Sequence, residues 1–203
     1  MNLTRHARLS RTFYERDPLT VSKALLGKHL VRKTREGEII GEIVETEAYI
    51  GPDDEASHAY GNKRTKRTSV QFGERGVAYI YRIYGIYHCF CVVVGPRYMP
   101  AVTLVRAVKP VKGLELMRKN RGLNRDVPIN RLVNGPSKLC SAFGITSRLN
   151  GLDLCAGHLF LCRGTRSSFE VGQSARIGID YAEEYKNAQW RFYQKNSEFT
   201  SDC

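Results

Sequence analysis

The sequence has no apolar run of the roughly 20 residues that a membrane-spanning helix needs. Residues 1–11 are basic and also lack the apolar segment of a secretory signal peptide. We therefore expect an intracellular protein that is not secreted and has no membrane-spanning segment. No internal repeat or linker interrupts the 203 residues, which predicts one domain. We assign a basic N-terminal arm to residues 1–11 and the single domain to residues 12–203.

Several familiar site motifs are also missing. The six cysteines include no C-x-x-C pair, and the five histidines show no regular spacing against them. We therefore expect neither disulfides nor a structural metal, but thiols packed as small apolar side chains. The G-x-S-x-G, P-loop and H-E-x-x-H patterns are absent, so the sequence offers no common signature of serine hydrolases, P-loop nucleotidases or zinc proteases.

Acidic residues are scarce relative to basic ones. There are 20 Asp and Glu against 32 Lys and Arg, which gives a net charge of +12. An excess of this size favours a polyanionic partner, because cations that neutralise phosphates release condensed counterions. Two alternatives stay open at this point: a basic protein without such a partner, and an anionic membrane surface.

The rest of the chain is organised around residues 41–50, which combine β-branched residues with period-two alternation and stop at a Gly-Pro pair. The pattern predicts a strand whose even positions face a core. Its odd positions place Ile43, Glu45, Glu47 and Tyr49 on the other face. Burying carboxylates beside an aromatic ring on such a strand costs desolvation free energy. This cost is offset only if the carboxylates pair with opposite charges, or is tolerated because they take part in chemistry. We interpret this strand as the floor of an active site. The alternative is a surface strand with one solvent-exposed face.

Residues 77–82 and 87–94 predict a β-hairpin with a tight turn at 83–86. Tyr79 and Tyr87 fit a core. Tyr84 falls at the turn, where it has little of its own domain to contact, so an exposed wedge and a core residue are both open. Residues 101–108 predict another strand, ended by a Lys-Pro pair, whose lone charge is Arg106. The glutamates of the central strand are its expected partners.

The remaining pattern predicts helices and strands around these elements. The helices are expected at residues 19–26, 113–120 and 134–143, and the further strands at 28–33, 159–162 and 175–179. Residues 190–193 are expected to pack the C-terminus back onto the domain. Asn134 or Ser137 is expected to cap the third helix, whose N-terminus with Lys138 suits a phosphate.

A basic loop follows the central strand at residues 61–68 and carries Lys63, Arg64, Lys66 and Arg67. A solvated charge run is the plain interpretation. In a chain this basic, we favour phosphate contacts. Three adjacent carboxylates, at residues 53–55, raise the alternative of a metal-dependent nuclease, although acidic residues after a Gly-Pro turn are more typical of a helix N-terminus.

Seven blocks of the sequence, taken together and in order, closely resemble the signature of the alkyladenine (3-methyladenine or 3-methylpurine) DNA glycosylase family. They are residues 44–52 (VETEAYIGP), 56–58 (ASH), 79–81 (YIY), 84–85 (YG), 104–107 (LVRA), 134–139 (NGPSKL) and 176–178 (RIG). The resemblance extends from residue 3 to residue 193. Each block is unspecific alone, but their combination is highly specific.

The resemblance implies an α+β fold, with a curved antiparallel β-sheet core and peripheral helices in a single domain. It implies no metal and no cofactor. It also implies a monomeric base-excision-repair enzyme, without an obligate protein partner, acting on double-stranded DNA. Such enzymes flip out alkylated or deaminated purines and hydrolyse the N-glycosidic bond, which leaves an abasic site. The implied lesions are 3-methyladenine, 7-methylguanine, hypoxanthine and ethenoadenine.

Catalytic roles follow from the matching positions. The resemblance implies that Glu47 is the general base for the attacking water. Arg106 would hold this water together with Glu47, and the main-chain carbonyl of Ile177 would complete the water's contacts. No lysine in these blocks replaces Glu47 as an amine nucleophile, so a lyase reaction is not indicated.

Binding roles follow in the same way. Tyr49 would stack on one face of the flipped base, with His58 and Tyr81 on the other, and His58 or its backbone would assist a neutral base. Tyr84 would be the wedge inserted into the duplex. Together with the four basic residues of the 61–68 loop, Ser137 and Lys138 are the expected phosphate contacts.

Cys91 departs from the family pattern, which usually has Asn at this position. The resemblance implies that Asn at this position excludes normal guanine by crowding its 2-amino group, and Cys is smaller and a poorer hydrogen-bonding group. We hypothesise that Cys91 relaxes this discrimination; a strand register that places Cys91 outside the pocket is the alternative. A second alternative concerns the whole protein: a non-catalytic protein that flips and binds damaged purines.

Overall fold

The computed structural model describes residues 7–164 and 168–201. Within them the helices are α1 (Arg11–Tyr14), α2 (Pro18–Ala24), α3 (Leu114–Arg121) and α4 (Pro136–Ala142). The strands are β1 (His29–Thr34), β2 (Gly37–Ile50), β3 (Ala78–Ile83), β4 (Tyr87–Val94), β5 (Ala101–Lys112), β6 (Leu159–Cys162), β7 (Val171–Ser174) and β8 (Arg191–Gln194). Short 3₁₀ turns lie at Tyr60–Asn62, Ser69–Phe72, Ile129–Arg131, Ser147–Leu149 and Tyr185–Asn187.

The strands form an antiparallel sheet in the order β3-β4-β5-β2-β1-β6, with β8 paired to β2 and β7 paired to β8. Strand β2 has 14 residues and three partners. Its first half pairs with β1 and its second half with β8, while β5 lies along its other edge. The sheet curls, and the helices lie at its periphery. The predicted α+β fold, in one domain, is therefore confirmed.

Two layers of apolar side chains cover the two faces of the sheet. The main core lies under α2 and α4 and includes Leu25, Val105 and Phe143. Along β4, Phe90, Val92 and Val94 face this core, whereas Cys89, Cys91 and Val93 face a smaller cluster with Tyr79. The alternation of β4 thus separates a conventional core from the layer that carries the site.

A β-bulge in β2 changes one sequence prediction. The register between β2 and β5 shifts between Ile43 and Glu45. Because an extra residue reverses the alternation, Ile43 packs in the main core with Ala48. The prediction that Ile43 shares a face with Glu45 and Glu47 is therefore wrong. The glutamates themselves keep the predicted spacing.

Other differences have local causes. Residues 175–179 are a loop and not the predicted strand, because main-chain and side-chain groups there bind β2 and Gly178 has a φ of 74°. Strand β5 continues past the Lys-Pro pair to Lys112, with Pro110 opposite Gly41. Tyr87, expected in the core, is 50% exposed.

Helix α4 is not capped as predicted. Gly135 is its N-cap, and no side chain supplies a capping hydrogen bond. Asn134 instead accepts a hydrogen bond from Lys138 Nζ at 2.9 Å. Helix α2 has conventional chemistry, since the Asp17 carboxylate accepts from the Thr20 N–H at 2.8 Å and Pro18 is the first helical residue.

Residues 1–6 of the predicted N-terminal arm lie outside the described residues. The described part of the arm contacts the sheet. Leu9 is buried and donates its N–H to the Leu161 carbonyl at 3.0 Å, and Arg8 forms an isolated antiparallel β-bridge with Cys162. The boundary at residue 11 stays a prediction. In the described ranges, no helix has the length and apolar character of a membrane span.

Candidate active site

Glu47 lies on β2 with no exposed surface. Its Oε1 accepts the N–H of Ile177 at 2.8 Å, and its Oε2 accepts the Tyr49 hydroxyl at 2.8 Å and Arg106 Nη1 at 3.1 Å. Three donors from three segments of the chain hold the carboxylate in one orientation, which offsets the cost of burying it.

Glu45, two residues earlier on β2, forms a second buried carboxylate centre. It accepts Arg106 Nε at 3.2 Å and Arg191 Nε at 2.6 Å. Ser201 adds its N–H and its hydroxyl, each at 2.7 Å. Arg106 therefore bridges the two glutamates, and the predicted ion pair is confirmed. Burial opposes its charge, but the carboxylates of Glu47 and Glu45 raise the pKa of Arg106 above its usual value.

A cavity of about 510 Å³ lies above these carboxylates. The three partners of Glu47, which are Tyr49, Arg106 and Ile177, all line it, so Glu47 lies directly behind the cavity wall. Its other lining residues include His58, Arg67, Gln71, Tyr79, Tyr81, Arg82, Tyr84, Cys89, Cys91, Gly178 and Tyr181. The structure thus brings the predicted catalytic and base-binding residues together.

Aromatic rings form much of the cavity wall. His58 meets Tyr81 edge to face with ring centroids 4.6 Å apart, and the Tyr79 and Tyr81 centroids are 5.5 Å apart. Burial raises the pKa of the Tyr49 and Tyr81 phenols well above the usual value, so both stay neutral. The neutral Tyr49 hydroxyl donates a hydrogen bond to Glu47 Oε2.

The proton arrangement of His58 follows from its neighbours. Arg67 Nη2 lies 3.0 Å from His58 Nε2, and the Tyr79 hydroxyl lies 2.9 Å from Nδ1. A guanidinium can only donate, so Nε2 accepts. Burial, and then the charge of Arg67, lower the pKa of His58 to about 4. We therefore assign a neutral imidazole with its proton on Nδ1, donated to Tyr79; neither ring nitrogen is free.

Arg176 is a site residue to which the sequence interpretation gave no role. It is buried and donates to both Asp54 oxygens at 2.6 and 2.8 Å and to the Ala48 carbonyl at 2.9 Å. Its guanidinium lies 4.7 Å from the centroid of the Tyr49 ring and 5.0 Å from that of Trp190. It therefore ties the 176–178 loop to β2 and fixes the ring of Tyr49. The only sequence signal was its place in the RIG block.

The same contacts give a role to Asp54, the middle residue of the acidic cluster at residues 53–55. Asp54 is buried, pairs with Arg176 and accepts the N–H groups of Ile50 and Ala56. In residues 7–164 and 168–201, no group of three or more His, Cys, Asp or Glu side chains is placed to hold a metal ion. Asp54, the middle residue of the cluster, is thus a structural element of the turn after β2.

Two further residues line the cavity, Cys91 and Gln71. Cys91 lies opposite Tyr79 of β3 and Leu104 of β5, and the buried thiol faces the site layer. Burial raises its pKa well above the usual value. The alternative register that removes Cys91 from the pocket is therefore not the one observed. Gln71 is also buried, and neither atom of its amide has a hydrogen-bond partner; no sequence pattern indicated it.

The predicted DNA contacts occupy two regions. Tyr84 is 88% exposed at the β3–β4 turn, with a φ of 51°, and borders the cavity. The four cations of the 61–68 loop are exposed. Ser137 and Lys138 instead line a second cavity of about 530 Å³ with Ile86 and Tyr87. The sequence did not predict this separation.

The fold and the site together indicate the kind of ligand that this protein binds. An aromatic cavity lies over a buried glutamate and arginine, and its lining includes the exposed Tyr84 and Arg67 of the cationic loop. This arrangement suits a flat heteroaromatic group carried on a polyanion.

Comparison with known proteins specifies the class further. The family model described as "Methylpurine-DNA glycosylase (MPG)" matches residues 12–198. The chain is 43% identical to a "Putative 3-methyladenine DNA glycosylase" of Clostridium novyi over 199 residues, 96% of this chain and 98% of the relative. A protein of the same name from Desulfitobacterium hafniense shares 43% identity with the same coverage. Another, from Clostridium acetobutylicum, shares 44% over 96% of this chain and 97% of its own length. The chain belongs to the methylpurine-DNA glycosylase family, a family of base-excision-repair hydrolases.

Proposed function

We propose that this protein flips damaged purines out of duplex DNA and releases them by hydrolysis with a water activated by Glu47. The observation that carries the proposal is the position of Glu47. Its carboxylate is fully buried and is held by three donors, whose residues all line the aromatic cavity. A base with a defined orientation next to such a cavity is what a general-base mechanism needs.

The reaction balances with these residues alone. The bond between the sugar C1′ and the purine N9 breaks, and its electron pair leaves with the purine. The water oxygen bonds to C1′, and its proton passes to Glu47. Arg106 and the carbonyl of Ile177 would orient the water. Among the described residues no lysine lines the cavity, and the product of the proposed hydrolysis is an abasic site.

The cavity walls account for the substrate class. Tyr49 would stack on one face of the flipped base, with His58 and Tyr81 on the other. An alkylated purine carries positive charge and is attracted to electron-rich rings. The proposed lesions are 3-methyladenine, 7-methylguanine, hypoxanthine and ethenoadenine, with Cys91 setting the discrimination against guanine.

Duplex binding involves the residues around the cavity. Tyr84 would fill the gap left by the flipped nucleotide. Lys63, Arg64, Lys66, Arg67, Ser137 and Lys138 would contact phosphates. We propose a monomer that works on DNA inside the cell, without a metal and without an obligate protein partner.

The test is single-turnover base release, with a chelator present, from matched duplexes. Each duplex carries one hypoxanthine, ethenoadenine, 3-methyladenine, 7-methylguanine or undamaged purine. We expect release of the damaged purines and alkali-labile abasic sites. Tight damage-dependent binding without release from any duplex would favour the non-catalytic damage-binding alternative. Strand cleavage that the chelator abolishes would favour a metal-dependent nuclease.

A further inference from the structure

Arg67 differs from the other cations of its loop. It lines the cavity, whereas Lys63, Arg64 and Lys66 do not. Its guanidinium lies 5.2 Å from the centroid of the Tyr81 ring and bonds to His58. No ion pair of Arg67 with a carboxylate is found within the described residues. A planar cation without a counter-charge therefore lies on one of the rings proposed to receive the base.

Hydrogen-bond directions in the cavity leave Arg67 as an available cationic donor, beside the neutral and unpaired amide of Gln71. His58 has no free N–H, because Nδ1–H points to Tyr79 and Nε2 accepts from Arg67. Tyr49 donates to Glu47. The Arg106 guanidinium is shared between two glutamates. Arg67 commits one N–H to His58 and, with five N–H groups on a guanidinium, retains others.

We propose that Arg67 is a specificity-determining residue that favours neutral damaged purines over cationic ones. This inference rests on the proposed glycosylase function and adds a role beyond phosphate contact. Arg67 would donate to the departing base at an acceptor such as O6 or N7. Its fixed charge would stabilise the negative charge that develops there.

The charges of the two lesion classes give the direction of the effect. Hypoxanthine is neutral in DNA and becomes negative as the glycosidic electron pair enters the ring. In 7-methylguanine the ring is positive in DNA and becomes neutral as it leaves, and its N7 is blocked by the methyl group. Relative to the free reactants, a nearby cation thus stabilises the first transition state and disfavours the second. This difference appears in kcat/KM, which compares the transition state with free enzyme and free DNA.

The test is a competition between two duplexes of identical sequence, one carrying hypoxanthine and the other 7-methylguanine. Contacts to phosphates are the same in both, so they cancel in the ratio of kcat/KM values. We expect Arg67→Gln to lower the hypoxanthine to 7-methylguanine ratio by about 10- to 100-fold. Arg67→Lys keeps the charge without the planar fork and should restore part of the ratio. Lys66→Gln, the matched neighbour, should weaken both reactions by the same factor.

The outcomes separate this inference from the proposed function. An unchanged ratio in Arg67→Gln, with both rates lowered equally, would leave Arg67 as a phosphate contact and overturn the inference. Release of 7-methylguanine but no hypoxanthine by the unaltered protein would also overturn it. Release of neither base by the unaltered protein would refute the proposed function itself. A thermal-unfolding midpoint equal to that of the unaltered protein would establish that each variant is folded.

Discussion

At the scale of single residues, two glutamates on one strand have different surroundings. Glu45 is enclosed by Arg106, Arg191 and Ser201. It therefore anchors both arginines and, through Ser201, the C-terminal segment. Glu47 is held by groups that themselves line the cavity. Identical side chains therefore serve structure in one case and, in our proposal, chemistry in the other.

Replacing Glu47 by Gln tests the general base. The amide has nearly the same size but cannot take up the water proton. We expect Glu47→Gln to keep its affinity for damaged duplex and to lose about 10²- to 10⁴-fold in the single-turnover rate.

The exposed Glu36, in the turn before β2, supplies the control. Glu36→Gln should keep both the rate and the affinity. A Glu47→Gln protein that releases purines at the original rate would exclude general-base catalysis by this residue.

Cys91 is the second residue with a distinct prediction. It lines the cavity, at the position where the sequence resemblance implies an Asn in the family pattern. Because the larger amide would crowd the 2-amino group of guanine, we expect Cys91→Asn to lower release of guanine-type bases relative to adenine-type bases. The measurement is the ratio of single-turnover rates for 7-methylguanine and 3-methyladenine.

Cys91→Ser keeps the size of the side chain and serves as the control. It should leave the ratio near that of the unaltered protein. The same guanine-to-adenine preference in the unaltered protein and in Cys91→Asn would refute the discrimination role.

At the scale of elements, the β3–β4 hairpin joins the cavity to the surface. Its strands pair in register from Ala78 opposite Val92 to Ile83 opposite Tyr87. Alternation turns Tyr79 and Tyr81 toward the site layer, and the turn leaves Tyr84 almost fully exposed. A large exposed aromatic side chain at the turn of a paired hairpin is suited to enter a base stack.

Removing this ring should affect duplex and single-stranded substrates differently. Only in a duplex does the flipped nucleotide leave a gap that needs filling. We expect Tyr84→Ala to weaken binding to damaged duplex by about 10-fold or more, in line with about 1–3 kcal/mol per base–aromatic stack. Binding to a damaged single strand should change far less.

Tyr98 is a matched control. It is 80% exposed and has a positive φ of 68°, like Tyr84, but lies in the β4–β5 loop and does not line the cavity. Tyr98→Ala should leave both affinities unchanged. Equal losses on duplex and single strand in Tyr84→Ala would argue against a wedge.

At the scale of the whole molecule, the net charge of +12 governs association with DNA. Phosphate neutralisation releases counterions, so affinity for undamaged duplex should fall steeply with salt. If Lys63 and Lys66 each contact a phosphate, the double variant Lys63→Gln/Lys66→Gln should reduce the slope of log K against log salt by about 2. Fluorescence anisotropy over a salt series measures this slope.

A double variant that removes the same number of positive charges elsewhere on the protein gives the control. Lys112 and Lys195 already pair with Glu38 and Glu170. Lys112→Gln/Lys195→Gln should leave the slope close to its original value. A loss of the same size in both double variants would mean that only the net charge matters and that the 61–68 loop makes no specific contacts.

Sequence alone determined much of the local structure. Strand and hairpin patterns predicted β2, β3, β4 and the start of β5, because alternation and turn residues act within a few positions. It also predicted Arg106 as the partner of the central glutamates, since a lone charge in an apolar strand needs an opposite charge. The basic composition pointed to a polyanion, and the resemblance blocks pointed to the family.

Only the tertiary structure decided what depends on contacts between distant segments. The bulge that moves Ile43 into the core comes from pairing with β5. Residues 175–179 are a loop because Arg176 and Ile177 bind Asp54 and Glu47, more than 120 positions earlier in the chain. The proton on His58 depends on Arg67 and Tyr79. A local pattern does not encode such contacts, because they form only when the curled sheet brings these segments to one cavity.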